Sequence, residues 1–155
     1  MTTEAALKGV EIFARLNNRQ IGRLARLSSR RQFAAGTQIL RAGDGGVALY
    51  VIVSGRVRIT HDADETGAEL LLREMGPGEA FGEIALIDGG PRSADVTAVE
   101  ETECVLLSRW DFSGEMRDDP DIARALLPVL CQKIRQLVDQ LAQHESRTTA
   151  AKPDV

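Results

Sequence analysis

A single arginine lies within an acidic, glycine-rich stretch in the middle of the chain. Arg92 is the only cation between Arg73 and Arg109, and eight acidic residues share that interval. A guanidinium group presents a rigid fork of N–H donors that matches a carboxylate or a phosphate. Arg92 is therefore a candidate anchor for a small anion, although its position also allows a structural ion pair with Glu83 or Asp95.

The tetrapeptide Gly82-Glu83-Ile84-Ala85 precedes this arginine and predicts the first turn of a short helix. The unpaired N–H groups and the positive dipole end of a first helical turn attract anions. At the mouth of such a pocket the Glu83 carboxylate would repel a phosphate, but it accepts well from a hydroxyl. A ligand that carries both a phosphate and a hydroxyl would satisfy Arg92 and Glu83 together.

The remaining reactive side chains show no pattern typical of a catalytic or metal site. His61 and His144 lie far apart, with no cysteine or carboxylate at ligand spacing, and no Ser-His-Asp order, catalytic carboxylate pair or Walker loop appears. Cys104 and Cys131 are 27 residues apart without a Cys-x-x-Cys motif, which indicates buried packing residues. We expect a binding protein with no enzymatic activity and no metal.

The composition of the chain argues against a nucleic-acid partner and against a membrane span. The net charge of −4 and the aromatic content of 4% do not favour nucleic-acid binding. The longest apolar run, 47–53, has seven residues, whereas a membrane-spanning helix needs roughly 20. The first twenty residues carry acids and lack an apolar signal segment. We therefore expect no membrane span and a cytoplasmic location.

The distribution of charge and glycine along the chain predicts where the strands lie. Residues 1–35 have a net charge of +5, residues 36–119 have −10 and residues 120–155 have +1. Eleven of the 14 glycines fall between Gly36 and Gly90, as expected for short strands joined by tight turns. The predicted strands are 37–40, 48–53, 56–61, 69–74 and 97–108. This spacing predicts an antiparallel barrel or jelly roll.

Helices are predicted on both sides of the β region. Asn17 followed by Gln20 matches a capping box and opens a helix that runs to about Ser28. Asp119 followed by Pro120 opens a second helical region that continues to about residue 144. One face of this region is apolar throughout. We therefore expect one domain, 1–144, followed by a disordered tail, 145–155.

The stretch FGEIALIDGGPRSADV, residues 81–96, resembles the phosphate-binding cassette of the cyclic nucleotide-binding domain family, found in catabolite activator proteins and in regulatory subunits of cyclic-AMP-dependent kinase. Further landmarks of the family appear in order along the chain. They are Phe13 and Leu16, Ala35-Gly36-Thr37, Gly43-Asp44, Leu49-Tyr50-Val51-Ile52, Ser54-Gly55 and Gly76-Pro77-Gly78-Glu79. The resemblance implies a mainly β fold, an eight-stranded antiparallel jelly-roll β-barrel with an N-terminal helix and a long C-terminal helix.

The resemblance also implies a ligand and a role for each cassette residue. Arg92 would pair with the phosphate of a cyclic nucleotide, and Glu83 would accept from its ribose 2′-hydroxyl. The N–H groups of Gly82, Ala85 and Ser93 would complete the anion site, with Ile84 in the same turn. Cyclic AMP is the favoured ligand. Cyclic GMP is possible because relatives that bind it use a hydroxyl directly after the arginine for the guanine amino group, and Ser93 is the hydroxyl residue at that position here.

The C-terminal helix allows more than one role. Its apolar residues at 130, 134, 137 and 141 follow a short heptad pattern, which suits either packing on its own domain or a homodimer. Pro128 predicts a kink or hinge within the helix. Leu137 and Val138 stand where bacterial activators place hydroxyl residues against the adenine, so contact with the base would be mainly apolar.

Activator proteins of this family continue into a helix-turn-helix domain, whereas this chain ends after the long helix and tail. We therefore expect a stand-alone sensor without a DNA-binding domain. Its C-terminal helix would relay ligand occupancy to a second copy or to an unidentified effector protein. The alternative is a scaffolding or dimerisation domain that kept the fold, lost the ligand and acts through protein–protein contact.

Overall fold

The computed structural model describes residues 1–43, 48–61, 70–90, 92 and 94–151. The chain begins with helix α1 (Thr3–Lys8), a 3₁₀ turn (Glu11–Phe13) and helix α2 (Asn18–Leu27). The capping box at the start of α2 is confirmed, because the Asn17 side chain accepts from the Gln20 N–H and the Gln20 side chain accepts from the Asn17 N–H. Helix α1 and the 3₁₀ turn were not predicted from the sequence.

After the N-terminal helices, the described residues form eight strands. They are β1 (Ser29–Phe33), β2 (Gln38–Leu40), β3 (Ala48–Ser54), β4 (Val57–His61), β5 (Leu70–Met75), β6 (Ala80–Phe81), β7 (Asp95–Ala98) and β8 (Thr102–Ser108). The strands pair in two antiparallel sheets, in the order β1-β8-β3-β6 and β2-β7-β4-β5. The number of strands agrees with the prediction. Two antiparallel sheets of four strands also agree with the expected jelly roll, while among the described residues no pairing closes the two sheets into a barrel.

Three details of the strand prediction were wrong. Strand β1 was missed because four of its five residues are exposed, which leaves no apolar alternation to detect. Strand β6 was missed because it has only two residues. The single strand expected at 97–108 is two strands, β7 and β8, which are separated by the exposed residues 99–101.

Strand β3 lies at the centre of the molecule and is buried on both faces. Its residues Leu49 and Val51 belong to the core between the first sheet and the helices. Its residues Tyr50 and Ile52 belong to the second core, between the two sheets. Because successive side chains of a strand point to opposite faces, a strand covered on both sides must be continuously apolar. This explains why residues 48–53 of the chain are all apolar.

Three further helices complete the described part of the fold: the short α3 (Glu83–Asp88) between β6 and β7, then α4 (Arg109–Asp118) and α5 (Pro120–Ala151). The Asp119 side chain accepts from the Asp121 N–H, as predicted for the residue that caps α5. Helix α5 continues through Pro128 to Ala151, so the expected end near residue 144 and the expected disordered tail at 145–155 are corrected: the chain is helical to 151. Residues 152–155 lie outside the described residues.

The burial of α5 changes along its length. Ile122, Leu126 and Val129 are buried against the domain, whereas Ile134 and Leu137 are mostly exposed. The apolar face is therefore a core face in the first three turns only, and its second half has no partner within the described part of the chain. Cys131 lies on this helix and is exposed, which corrects the expectation that both cysteines are buried.

Candidate functional site

The predicted cassette connects the two sheets. Strand β6 is an edge strand of the first sheet, where Phe81 pairs with Tyr50 of β3. The chain then forms the short helix α3 (Glu83–Asp88) and continues past Arg92 into β7, a central strand of the second sheet. The predicted helical turn at 82–85 is confirmed. This path places the candidate anion-binding residues between a strand of the first sheet and a strand of the second.

Gly82 is required at the start of this helix for two physical reasons. Its φ of +87° lies in the left-handed region, which favours glycine over other residues. A Cβ at this position would overlap Nη1 of Arg92 and lie 2.7 Å from the carbonyl oxygen of Ala48. The absence of a side chain at Gly82 therefore makes the room in which the Arg92 guanidinium sits.

Arg92 is buried, and the described residues give it no counter-charge. Its side chain is 7% exposed, and its Nη2 donates to the Ala48 carbonyl oxygen. Within the described residues, its Nε has no hydrogen-bond partner and no carboxylate forms an ion pair with the guanidinium. Burial lowers the pKa of Arg92, while Tyr50 partly offsets this effect. A buried cation of this kind favours an anionic ligand.

The two structural ion pairs that the sequence allowed for Arg92 are not formed. Asp95 instead accepts a hydrogen bond from the Ala42 N–H at 2.6 Å, which ties the chain after β2 to the start of β7. Glu83 pairs with Lys133, with 3.0 Å between Oε1 and Nζ. The alternative in which Arg92 only stabilises its own loop, through an ion pair with Glu83 or Asp95, is therefore wrong for the described part of the chain.

A cavity of about 480 Å³ opens beside Arg92. This volume falls within the range of small-molecule sites, roughly 300–1,000 Å³. Its polar lining comes from Glu83, Asp88 and Arg92, and the other lining residues are apolar or glycine. They are Leu40, Ile59, Phe81, Gly82, Ile84, Ala85, Gly90, Ala94 and Val96. The described residues therefore give the cavity one cation and two carboxylates on otherwise apolar walls.

The structure brings five of the predicted site residues to this cavity: Gly82, Glu83, Ile84, Ala85 and Arg92. The sixth, Ser93, lies outside the described residues, as does Asp44 of the predicted Gly43-Asp44 turn.

An aromatic stack supports one wall of the cavity. Phe81 lines the cavity, and its ring stacks on that of Tyr50 with 5.0 Å between centroids and an interplanar angle of 5°. Phe33 also contacts Tyr50, with 6.3 Å between ring centroids and an interplanar angle of 50°. Three buried rings from three strands of the first sheet therefore fix the wall next to Arg92. The sequence motif contained Phe81 and Tyr50, but it did not show that the two rings stack.

Sequence reasoning missed Lys133, which lies on α5 and contacts the site. Its Nζ lies 3.0 Å from Oε1 of Glu83 and 2.9 Å from Oε2 of Glu11 in the 3₁₀ turn. Burial lowers the pKa of Lys133, but its bonds to the two carboxylates outweigh this effect and raise the pKa above its ordinary value. Because Lys133 is 50 residues from Glu83 and 122 from Glu11, no local motif could have indicated the contact.

Leu137 and Val138 do not lie where they could contact a base bound in the cavity of the same copy of the chain. Both side chains are more than half exposed, and neither lines the cavity. Among the described helices, none combines the length and the apolar character that crossing a membrane would require.

Comparison with known proteins identifies the family. The family described as "Cyclic nucleotide-binding domain" matches residues 30–119. The chain is 37% identical over 150 residues to the cyclic AMP receptor protein of Thermus thermophilus, covering 94% of this chain and 68% of that protein. It is 36% identical over 110 residues to the CRP-like cAMP-activated global transcriptional regulator of Mycobacterium tuberculosis, covering 71% of this chain and 49% of that protein.

Solved structures agree with these matches. The N-terminal domain of a transcriptional regulator from Streptomyces coelicolor A3(2) superposes with a TM-score of 0.79 at 32% identity, covering 88% of this chain and 94% of that chain. The catabolite activator protein of Thermus thermophilus superposes with a TM-score of 0.71 at 34% identity, covering 88% of this chain and 63% of that chain. Together with the family match to residues 30–119, these similarities show that the chain belongs to the cyclic nucleotide-binding domain family.

Proposed function

We propose that this chain is a regulatory module that binds a cyclic nucleotide, cyclic AMP in the first place, in the cavity beneath the 81–96 cassette. The observation that carries the proposal is the buried Arg92 guanidinium, which lines the cavity and has no carboxylate partner among the described residues. A cyclic phosphodiester has a single negative charge, which would compensate this cation. A charge-assisted hydrogen bond of this kind contributes about 1.5–3 kcal/mol.

The other parts of the ligand match the other walls of the cavity. The Glu83 carboxylate, at the mouth of the same cavity, would accept from the ribose 2′-hydroxyl. The apolar side chains of Leu40, Ile59 and Val96 would contact the flat faces of the base. The N–H groups of Gly82, Ala85 and Ser93 would contribute to the phosphate site, with Ile84 in the same turn.

Cyclic AMP is the favoured ligand because the bacterial relatives that match most of this chain are a cyclic AMP receptor protein and a cAMP-activated regulator. Cyclic GMP is the competing ligand, since a hydroxyl directly after Arg92 could serve a guanine amino group. We expect the protein to act in the cytoplasm.

Isothermal titration with cyclic AMP, cyclic GMP and a cyclic dinucleotide tests this function. We expect heat of binding for the two mononucleotides, with the smaller dissociation constant for cyclic AMP. The dinucleotide carries two phosphodiesters and two bases, and we expect no binding in a cavity of about 480 Å³. Absence of binding for all three ligands would contradict the proposal and favour the scaffolding alternative.

Helix α5 is the proposed route by which ligand occupancy reaches a partner. Its first turns are buried in the domain, and Pro128 lies next to Val129, the last residue of that buried face. A proline inside a helix removes one backbone hydrogen bond, which favours bending at that point. One turn further on, Lys133 joins the helix to Glu83 of the cassette. We infer that a change at the cassette shifts the part of α5 that follows Pro128.

A homodimer through the exposed half of α5 is the proposed assembly. Ile134, Leu137 and Leu141 are 60%, 57% and 63% exposed, and their spacing places them on one face of the helix. An apolar face of this kind is stabilised by packing against its own copy, and it also suits an effector protein. This exposed face is the observation that favours the scaffolding alternative, because such contact requires no nucleotide.

We predict that Leu137→Glu shifts the protein from dimer to monomer. A charge at the centre of an apolar helix pair must be buried without a partner, which disfavours association. Sedimentation velocity measures the shift, and Gln132→Glu is the matched control because it adds the same charge on the opposite face of α5. A dimer that persists in Leu137→Glu, or a monomeric parent protein at millimolar concentration, would contradict the proposed interface.

A further inference from the structure

A carboxylate is buried at the start of a central strand of the second sheet. Asp95 is the first residue of β7 and is 9% exposed, although aspartate is among the residues that strands contain least often. Within the described residues no cation forms an ion pair with it. Because a buried carboxylate without a bonding partner destabilises the fold, the group that binds Asp95 indicates what this side chain does.

Asp95 binds the backbone of the turn that follows β2. Its Oδ1 accepts from the N–H of Ala42 at 2.6 Å. The next N–H along the chain, that of Gly43, donates to the carbonyl oxygen of Arg92 at 2.8 Å. Two successive N–H groups of the 42–43 turn are therefore bonded to the two ends of the stretch 92–95.

These contacts hold Arg92 at both its backbone and its side chain. Gly43 binds its carbonyl oxygen, and the Ala48 carbonyl oxygen at the start of β3 accepts from its guanidinium. Asp95 itself is not among the described residues that line the cavity. Because the bond to Ala42 keeps Gly43 next to Arg92, any effect of Asp95 on a ligand must pass through Arg92.

We propose that Asp95 is a positioning residue for the phosphate anchor: it holds the 42–43 turn against the cassette and thereby fixes where the Arg92 guanidinium meets a phosphate. The proposal rests on the proposed function, since it assigns the phosphate of a cyclic nucleotide to Arg92. Removing the carboxylate leaves Arg92 in the protein but releases the turn that holds its backbone. The guanidinium then meets the phosphate with poorer geometry, and hydrogen bonds weaken steeply as their angle departs from linear.

A double-mutant cycle separates this role from general support of the fold. Isothermal titration measures the dissociation constant for cyclic AMP in the parent, Asp95→Ala, Arg92→Ala and the double variant. We expect Asp95→Ala alone to weaken binding about fivefold, comparable with the net contribution of one hydrogen bond. In the Arg92→Ala background we expect it to weaken binding less than about twofold. Asp95→Asn keeps an acceptor oxygen of similar shape, and we expect it to restore the affinity to within about twofold of the parent.

The two phosphorothioate diastereomers of cyclic AMP provide a second readout. Each carries sulfur in place of one of the two exocyclic phosphate oxygens, so a guanidinium that is held in one place distinguishes them. We expect the parent to prefer one diastereomer about fivefold or more, and Asp95→Ala to reduce this preference to about twofold or less. Both analogues have the same charge, base and ribose, so their ratio is insensitive to a general loss of stability.

Thr102→Val is the matched control. Thr102 is fully buried, its hydroxyl bonds to the carbonyl oxygens of Arg56 and Glu100, and it is not among the described residues that line the cavity. Thr102→Val is expected to lower the free energy of unfolding and to leave both the affinity for cyclic AMP and the diastereomer preference unchanged.

Three results would overturn the positioning role. They are an Asp95→Ala protein that keeps the parent's affinity and preference, an equal effect of Asp95→Ala with and without Arg92, and a parent that binds both diastereomers equally well. A parent protein that binds none of these nucleotides would instead overturn the proposed function and this inference with it.

Discussion

Replacing Arg92 by alanine is expected to weaken cyclic AMP binding about 10- to 150-fold, as measured by isothermal titration, which corresponds to the loss of about 1.5–3 kcal/mol. The guanidinium is the only cation among the described residues that line the cavity. A buried phosphate would lose its counter-charge and its paired N–H donors in the variant. Cyclic GMP binding is expected to weaken by a similar factor, since both ligands share the cyclic phosphate.

The same substitution is expected to leave the free energy of unfolding of the ligand-free protein within about 1 kcal/mol of the parent. Arg92 is 7% exposed and has no carboxylate partner in the described part of the chain, so its burial is unfavourable without a ligand. The lost stabilisation is mainly the hydrogen bond to the Ala48 carbonyl oxygen. Urea denaturation without ligand separates this effect from binding.

Two variants control the Arg92 experiment. Arg92→Lys keeps the charge but loses the rigid fork of donors, and we expect an intermediate affinity. Arg41→Ala removes an exposed cation that bonds only to Gln38 among the described residues, and we expect the parent affinity. An Arg92→Ala protein that binds cyclic AMP as tightly as the parent would show that Arg92 is not the phosphate anchor.

Gly82→Ala is expected to lower the free energy of unfolding by more than about 2 kcal/mol and to abolish measurable cyclic AMP binding. The alanine must adopt a φ of +87°, which costs about 1–2 kcal/mol by itself. Its Cβ also overlaps Nη1 of Arg92 and crowds the Ala48 carbonyl oxygen. Either the guanidinium or the backbone of the cassette must move, and both movements disrupt the anion site.

Gly78→Ala is the matched control for this prediction. Gly78 has nearly the same backbone conformation, with a φ of +86°, but a Cβ there would meet no atom within 4 Å. It therefore measures the conformational strain without the overlap, and we expect a loss of about 1–2 kcal/mol with ligand binding retained. Equal losses of stability and equal affinities in the two variants would contradict the assigned role of Gly82.

The local parts of this architecture could be predicted from the sequence because their signals lie within a few residues. The Asn17–Gln20 capping box required two residues three positions apart, and the structure contains both of its hydrogen bonds. The helical turn at 82–85 and the placement of Arg92 followed from one continuous cassette. The long apolar helix after Asp119 was also visible from its periodicity.

The parts that failed depend on contacts between distant segments or on weak local patterns. Lys133 meets Glu83 and Glu11 only after α5 packs across the domain, and neither partner is near it in sequence. Helix α4 was not predicted from the sequence. Phe112 is its one buried residue, so its amphipathic pattern is weak. The order of the strands within each sheet, such as β1 beside β8, is likewise decided by hydrogen bonds between segments that are distant in sequence.

Helix α5 is longer than the apolar periodicity of the sequence predicted. The residues after 144 are polar and have no apolar periodicity, which indicated a disordered tail. The structure continues the helix to Ala151 because each added residue extends a helix that already exists, and elongation is far less costly than nucleation. A polar segment attached to a stable helix therefore needs no core contact of its own to be helical.

A crystal structure of the complex with cyclic AMP tests the central claim most directly. We predict that the cyclic phosphate lies within hydrogen-bonding distance of the Arg92 guanidinium and that the ribose 2′-hydroxyl donates to Glu83. A nucleotide bound elsewhere on the protein, or one in the cavity with its phosphate directed away from Arg92, would contradict the account.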